Sequence, residues 1–135
     1  DARSVFPYPP YDSVTFDVPG RTAGDVDARV WIRIDEVRQS LTIIRQLLDM
    51  LTRGTIHEPS PALKAGNGAA LVEAFRGDVF LAVRLDEEGR VTRLHVRDAS
   101  WFQWPLLEAC IEENIVADFP LCNKSFNCSY SGHDL

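Results

Sequence analysis

Apolar residues recur at intervals of four and three along the stretch that follows Gly24. The series is Val26, Val30, Ile34, Val37, Leu41, Ile44, Leu48 and Leu51. Side chains at this spacing stack along one face of an α-helix. Thr22 and Asp25 are typical of a helix start, and Arg53 with Gly54 is typical of a helix end. The pattern predicts a helix over residues 24–53, about 45 Å long at 1.5 Å per residue.

The opposite face of this predicted helix carries a polar stripe. Its members, again at intervals of four, three and four, are Arg29, Arg33, Glu36 and Ser40. Two interpretations stay open. The stripe is either a solvated face with weak charge pairs such as Asp25 with Arg29, or one contact side of a helix packed on two sides in a larger body. Apolar residues on its flanks, such as Ile32 and Leu47, are compatible with the second.

Downstream, two stretches of the chain have a period of two. Val79, Leu81, Val83 and Leu85 alternate with Phe80, Ala82 and Arg84, and Thr92, Leu94 and Val96 alternate with Arg93, His95 and Arg97. This period is typical of β-strands, and the sequence Asp-Glu-Glu-Gly at 86–89 is typical of a tight turn followed by a left-handed residue. With residues 70–75 as a third strand, the pattern predicts a three-stranded antiparallel sheet over residues 70–98.

The two ends of the chain give weaker patterns. Residues 1–20 contain four prolines, which predicts an extended lead-in without helix. Ser100 is predicted to cap a shorter helix, whose start slips to Trp104 if Pro105 must lie in its first turn. Residues 115–135 predict a short helical turn and an extended tail. The predicted fold is therefore α+β: one long helix packed on a small three-stranded antiparallel sheet, plus a shorter C-terminal helix.

Composition excludes several classes of function. A net charge of −6 without a basic run argues against nucleic-acid binding, and no apolar stretch reaches the length of a membrane span. The three cysteines, Cys110, Cys122 and Cys128, form no C-x-x-C pair, which predicts reduced, mostly buried thiols. No G-x-S-x-G elbow accompanies the histidines, and the glycines lack the spacing of phosphate-binding loops.

One motif retains chemical interest. In EAFRGD, residues 73–78, Arg76 lies between Glu73 and Asp78 and precedes a glycine at a predicted bend between strands. The arginine is either held by the two carboxylates as a structural clamp, which we favour on the motif alone, or directed at an anion or polar group.

The chain resembles the catalytic large subunits of respiratory complex I and of energy-converting nickel–iron hydrogenases, including those of formate hydrogenlyase type. The matching residues are Pro7, Tyr8, Tyr11, Gly24, Asp25, Val26, Ala28, Arg29, Arg33, Glu36, Ser40, Gly68, Glu73, Arg76, Gly77, Arg97, Ser100, Ala117, Asp118, Phe119 and Leu121. The resemblance implies that residues 1–135 are a single C-terminal domain of a longer, mainly helical large subunit.

In the hydrogenase members, the resemblance implies a metal held partly by Asp-Pro-Cys-x-x-Cys-x-x-His or -Arg near the C-terminus. Here Asn127 takes the Asp position, Ser129 and Gly132 the two cysteine positions, and Leu135 the last position. A shift by one residue brings Cys128 to the first cysteine position but leaves a serine at the second. Nickel and iron select thiolates, so we expect no nickel–iron centre and no metal bound by these residues.

The resemblance further implies a place in a redox complex at the cytoplasmic face of the inner membrane. The implied partners are the N-terminal remainder of the same subunit, an iron–sulfur small subunit that holds its own cluster, and membrane subunits. The expected function is to line the cavity where electrons pass from that cluster to quinone or another acceptor. The candidates for the cavity lining are Glu73, Arg76, Asp78, Asn127 and Ser129.

Two other functions remain open: a genuine nickel–iron hydrogenase subunit, and an assembly or coupling element in which the stripe Arg29, Arg33, Glu36 and Ser40 transmits conformational change. As a separate piece, the domain is expected to be catalytically inactive, to bind no cofactor of its own and to self-associate through surfaces that the remainder of the subunit would cover.

Overall fold

The computed structural model describes residues 1–59 and 61–134. The elements are α1 (Ala2–Val5), α2 (Val26–Met50), β1 (Gly66–Ala74), β2 (Gly77–Leu85), β3 (Val91–Arg97), α3 (Ser100–Ile111), a 3₁₀ turn (Val116–Asp118), α4 (Phe119–Phe126) and α5 (Tyr130–His133). The strands form one antiparallel sheet in the order β1-β2-β3. The predicted α+β fold of a long helix, a three-stranded sheet and C-terminal helices is confirmed.

The long helix α2 is shorter at both ends than predicted. Asp25 caps it, since its carboxylate accepts a hydrogen bond of 2.8 Å from the backbone N–H of Ala28, so Thr22 lies outside. The helix stops at Met50 because Leu51 is already extended, and Arg53 and Gly54 take no part in its end. Its 25 residues span about 37 Å at 1.5 Å per residue.

The cap gives a direct test of this boundary. Replacing Asp25 with alanine leaves a first-turn N–H without its acceptor, so the free energy of unfolding should fall by about 1 kcal/mol. Asp27→Ala is the matched control, because Asp27 lies in the first turn but does not cap, and it should cost only a few tenths of that value. Equal losses in denaturant unfolding of the two variants would contradict the assigned cap.

The lead-in packs along the side of α2. Thr15 exchanges two backbone hydrogen bonds with the side-chain amide of Gln46, at 2.8 and 2.7 Å, and the N–H of Asp17 reaches Gln39 at 3.3 Å. The prediction of a wholly extended lead-in was wrong at its start, where α1 forms. That helix ends before Pro7, the first proline, so the proline-rich stretch itself remains non-helical.

The sheet is longer than the alternation predicted. Strand β1 begins at Gly66, and its first residues, of the sequence Gly-Asn-Gly-Ala-Ala, carry no period-two pattern that could reveal a strand. The predicted turn between β2 and β3 is confirmed: Gly89 adopts φ +75°, and its N–H donates to the carbonyl of Asp86 at 3.0 Å. A register shift at Arg84 and Leu85 accompanies this turn.

The C-terminal part is more helical than predicted. Helix α3 starts at Ser100 and continues past Pro105, so neither a start at Trp104 nor a first-turn position for that proline is correct. Ser100 does not cap it; Asp98 accepts the Ser100 N–H at 2.8 Å instead. The predicted extended tail is also wrong, because α4 and α5 form two short helices there, too short for a periodic pattern to show.

Little of the apolar surface is covered within this chain. Leu107 of α3 and Ile43 of α2 are among the few buried large residues, with exposed fractions of 2% and 5%. Most of the periodic apolar series on α2 is open, including Leu41 at 50% and Leu48 at 63%. The described residues therefore leave most of this apolar face of α2 uncovered. Among the described helices, none is both long and apolar enough to cross a membrane.

Candidate functional site

A cleft of about 270 Å³ opens where α2 faces the turn between β1 and β2, and we call it the central cleft. Its lining comes from four places in the chain: Arg29, Ile32, Arg33 and Glu36 of α2; Glu73, Phe75, Arg76 and Gly77 at the β1–β2 turn; Gln103 and Leu106 of α3; and Phe126 of α4. Three guanidinium groups and two carboxyl groups thus share one cleft with apolar walls.

The α2 arginines are held by contacts with α4. The Nε of Arg29 donates to the hydroxyl of Ser125 at 2.8 Å, and its Nη1 donates to the carbonyl of Gly24 at 2.7 Å. Its guanidinium also lies 4.3 Å from the ring centre of Phe126, a cation–π contact. The Nη2 of Arg33 donates to the Ser125 carbonyl. The solvated interpretation of the polar stripe is therefore wrong for these two arginines, and no Asp25–Arg29 ion pair occurs among the described residues.

Arg76 is held by Asn127 at the end of α4 and by Gln103 of α3. Its Nε donates to the carbonyl of Asn127 at 2.6 Å, while its own carbonyl accepts from the Gln103 amide at 2.6 Å. Asn127 ends α4 in the left-handed region at φ 55°, which turns this carbonyl out of the helix. Gly77 follows at φ +126°, with Ala99 only 3.1 Å from where its Cβ would lie. The bend thus requires a glycine after the arginine.

The predicted carboxylate clamp around Arg76 was wrong. Glu73 accepts the backbone N–H of Ala2 at 2.7 Å, and Asp78 forms an ion pair with Arg97 on the neighbouring strand. Both acids have other partners, so the guanidinium of Arg76 keeps its outer nitrogens for a further acceptor. Asp78 does not line the central cleft.

Burial changes the acid–base behaviour of the cleft. It raises the pKa of Glu36, an effect that the neighbouring carboxylate of Glu73 strengthens and the cations Arg3 and Arg33 oppose. Burial likewise lowers the pKa of Arg33, with Arg29 and Arg76 adding like-charge repulsion and Glu36 opposing it. The carboxyl of Glu36 therefore keeps its proton to a higher pH than an exposed glutamate does.

The C-terminal tail packs against α3 instead of presenting ligands. The hydroxyl of Ser129 accepts the Gly132 N–H at 3.0 Å, and its backbone N–H donates to Ser100 at 2.8 Å. A Cβ on Gly132 would lie 2.7 Å from Cγ of Asp98 and 2.9 Å from Cβ of Ser129, so no side chain fits there. Burial raises the pKa of the nearby Cys128 thiol, which favours its protonated form.

These residues do not fit a nickel–iron centre. A hydroxyl and a hydrogen stand where two thiolates would be needed, and the described residues contain no cluster of three or more His, Cys, Asp or Glu that could hold a metal ion. Leu135, the last position of the motif, lies outside the described residues.

Comparison with known proteins identifies the family. The family model for the 49 kDa subunit of the respiratory-chain NADH dehydrogenase matches residues 1–65 and 55–134. The chain belongs to this 49 kDa subunit family. The suggested resemblance to complex I subunits is thereby confirmed.

Curated relatives of the chain include an NADH-quinone oxidoreductase subunit and a hydrogenase. The chain is 34% identical over 122 residues to an NADH-quinone oxidoreductase subunit of Carboxydothermus hydrogenoformans, covering 88% of this chain and 33% of the relative. It is 31% identical over 128 residues to the carbon monoxide-induced hydrogenase of Rhodospirillum rubrum, covering 94% and 36%. The chain thus spans about a third of the length of these curated relatives.

A solved structure shows the same fold at high similarity. A chain of the membrane-bound sulfane sulfur reductase, an archaeal respiratory membrane complex, matches with a TM-score of 0.87 and 32% identity, over 100% of this chain and 39% of that one. This chain therefore has the fold of one part of that larger chain.

The central cleft unites two groups of residues that the sequence suggested separately. From the polar stripe come Arg29, Arg33 and Glu36, and from the cavity candidates come Glu73 and Arg76. The remaining candidates have other places: Ser40 lines a neighbouring cleft, Asn127 contributes its carbonyl, Ser129 caps α5, and Asp78 pairs on the sheet.

The sequence did not reveal the apolar walls of the cleft. Phe75, Leu106 and Phe126 come from three different elements, and Gln103 ties α3 to the β1–β2 turn. The one available signal was Phe75, which directly precedes the arginine of the EAFRGD motif. The others follow from the packing of α3 and α4, whose boundaries the pattern did not define.

Proposed function

We propose that this chain lines the cavity in which electrons leave an iron–sulfur cluster of a partner subunit for quinone or another acceptor, without a nickel–iron centre. The observation that carries the proposal is the central cleft itself. It combines three guanidinium groups with apolar walls from Phe75, Leu106 and Phe126. Polar groups that converge in an otherwise apolar cleft are the usual form of a small-molecule site.

The cleft is small, which favours a single ring over a larger ligand. Small-molecule sites generally have volumes of about 300–1,000 Å³, and the cleft lies just below that range at about 270 Å³. A quinone accepts two electrons and two protons at its carbonyl oxygens. Arg76 can donate to such an oxygen with the nitrogens that Asn127 does not use, while Phe75 and Leu106 contact the ring.

The charges of the residues also support this proposal. Three arginines face two carboxyl groups, so the cleft carries an excess of positive charge even with both glutamates ionised, and it stabilises negative charge as it develops on a reduced acceptor. Because Arg29 and Arg33 are held by α4, they keep their positions without the ligand, and little reorganisation is needed.

The cleft also suits a second class of acceptor, an anionic sulfur chain. One solved relative is a sulfane sulfur reductase, and the excess of positive charge in the cleft would attract such an anion. Assays that offer a quinone and a polysulfide to the same preparation separate the two acceptors.

The packing of the C-terminal tail supports the proposed absence of nickel and iron. Ser129 uses its hydroxyl within the tail, and Gly132 has no space for a thiol. The other hydrogenase-related function, a genuine nickel–iron subunit of formate hydrogenlyase type, would need both positions to hold metal. The purified complex is therefore expected to contain no stoichiometric nickel and to evolve no hydrogen. Nickel at one atom per subunit, with hydrogen evolution, would refute the proposal.

Partners and location belong to the same proposal. The remainder of the subunit, an iron–sulfur small subunit and membrane subunits would surround the chain at the cytoplasmic face of the inner membrane. The open apolar series on α2, with Leu48 at 63% exposure, supports contact with further protein. Self-association and catalytic inactivity of the separate domain stay predictions.

That open face also favours a second candidate function, an assembly or coupling element. Arg33→Ala distinguishes the two. Lost assembly with normal electron transfer in the residual complex supports the assembly role, whereas normal assembly with slow acceptor reduction supports the cavity role. Arg45→Ala, a change at an exposed position on the same helix, is the matched control.

A further inference from the structure

We propose that Glu36 and Glu73 form a proton route that connects the surface with the central cleft and delivers protons to the reduced acceptor. The inference rests on the proposed function of the cleft as an acceptor site and adds the origin of the protons. It starts from a second cavity that the sequence did not suggest.

This second cavity, the outer cleft, has a volume of about 230 Å³ and adjoins the first. It is lined by Arg3, Glu36, Val37, Ser40, Glu73, Ala74 and Phe75. Three of these residues, Glu36, Glu73 and Phe75, also line the central cleft. The two carboxyl groups are the titratable groups common to both cavities, so they stand between the outer cleft and the guanidinium groups inside.

The two carboxyl groups differ in how firmly they are held. Glu73 is fixed by its 2.7 Å bond from the N–H of Ala2, whereas Glu36 accepts no hydrogen bond from any described residue. The route requires Glu36 to turn between the two cavities, and no hydrogen bond from a described residue opposes this turn. A carboxyl group that can face either side while its partner stays fixed is suited to carry protons in steps.

The charges around Glu36 keep it available as an acid. Arg33 on its own helix and Arg3 on α1 favour its ionised form, while Glu73 on β1 and burial favour its protonated form. Burial is the largest of these effects, so the pKa of Glu36 is raised from its ordinary value. A proton donor works best when its pKa approaches the working pH.

Two electrons from the partner's iron–sulfur cluster and two protons convert the two carbonyl oxygens of a quinone into hydroxyls. The O–H bond of Glu36 breaks as an O–H bond forms on the acceptor oxygen, and the carboxylate then regains a proton from water in the outer cleft by way of Glu73. The second proton follows the same route.

The test uses the assembled complex. Glu36→Gln should slow quinone reduction about tenfold at neutral pH, less than the 10²- to 10⁴-fold of a lone general acid because Glu73 and water remain. Glu88→Gln, the same change in the exposed β2–β3 turn, is the matched control and should leave the rate unchanged. Equal rates in wild type and Glu36→Gln would refute the proton route.

The pH profile adds a readout that a structural role would not change. The rate should fall as pH rises through the pKa of Glu36. Glu73→Gln removes a like charge and should move this fall to lower pH, while Arg3→Gln removes a cation and should move it to higher pH. Shifts in the same direction, or no shift, would contradict the route.

A measurement without turnover separates this inference from the proposed function. In infrared difference spectra between low and high pH, the protonated-carboxyl band of Glu36 should persist to higher pH than those of exposed glutamates, and it should be missing in Glu36→Gln. If the band appears but Arg76→Ala reduces quinone normally, the acceptor site is wrong. If Arg76 is required but the band is absent, only the proton route is wrong.

Discussion

Replacing Arg76 with alanine should reduce acceptor reduction by the assembled complex about 10²-fold while leaving assembly intact. A hydrogen bond to a charged group contributes about 1.5–3 kcal/mol, and each 1.36 kcal/mol corresponds to a factor of ten in rate. Arg76 lies at a bend on the surface of the cleft, and it is anchored through one nitrogen to the Asn127 carbonyl. Its loss should therefore remove a donor from the cleft without removing core packing. Steady-state rates with a short-chain quinone would measure the effect.

Two further variants make this result specific. Arg76→Lys keeps the positive charge but replaces the planar fork of donors with a single ammonium nitrogen that fits the two acceptors less well, so it should recover only part of the rate. Arg84→Ala removes a guanidinium from the same hairpin, where it bonds Asn67 outside the cleft, and should leave the rate unchanged. An Arg76→Ala complex as active as the Arg84→Ala complex would show that the cleft is not the acceptor site.

The second large effect concerns the tail. Gly132→Cys, which restores the residue type of the hydrogenase motif, should lower the free energy of unfolding by about 1–3 kcal/mol because the new Cβ overpacks against fixed neighbours. Those neighbours are Cγ of Asp98 at 2.7 Å and Cβ of Ser129 at 2.9 Å, and both residues are held by hydrogen bonds to backbone N–H groups. Thermal unfolding of the variant would measure the loss.

Gly54→Cys is the matched control, because nothing lies within 4 Å of a Cβ at that position and the change should cost little. The double variant Ser129→Cys, Gly132→Cys should also fail to acquire nickel, since the added thiols are not placed as ligands. A double variant that is stable and binds nickel stoichiometrically would show that the tail retains the shape of a metal site.

The sequence predicted those elements whose pattern repeats several times. Helix α2 carries seven of the eight apolar positions at helical spacing, and β2 has a period of two from Val79 to Leu85, so both were found, with boundary errors where caps decide the end. Asp25, not Thr22, begins α2 because its carboxylate reaches the Ala28 N–H. Helices α4 and α5 are only eight and four residues long, less than the pattern needs.

The sequence identified several residues of the cleft but not the fact that they meet. Arg29, Arg33 and Glu36 were identified as one stripe because they share a helix face, and Arg76 was identified from a local motif. Nothing in either pattern showed that the stripe and the motif meet. Their meeting depends on Ser125 and on the left-handed Asn127, which orient α4 against both. Contacts between residues so far apart in the sequence cannot be derived from local periodicity.

Labelling of the assembled complex with a photoreactive quinone would show where the acceptor binds. Peptide mapping should place the label on the apolar walls of the central cleft, at Phe75, Leu106 or Phe126, and excess unlabelled quinone should prevent it. Arg76→Ala should weaken the labelling and Arg84→Ala should not. Saturable labelling elsewhere in the complex, with none on these three residues, would contradict the assignment of this cleft as the acceptor site.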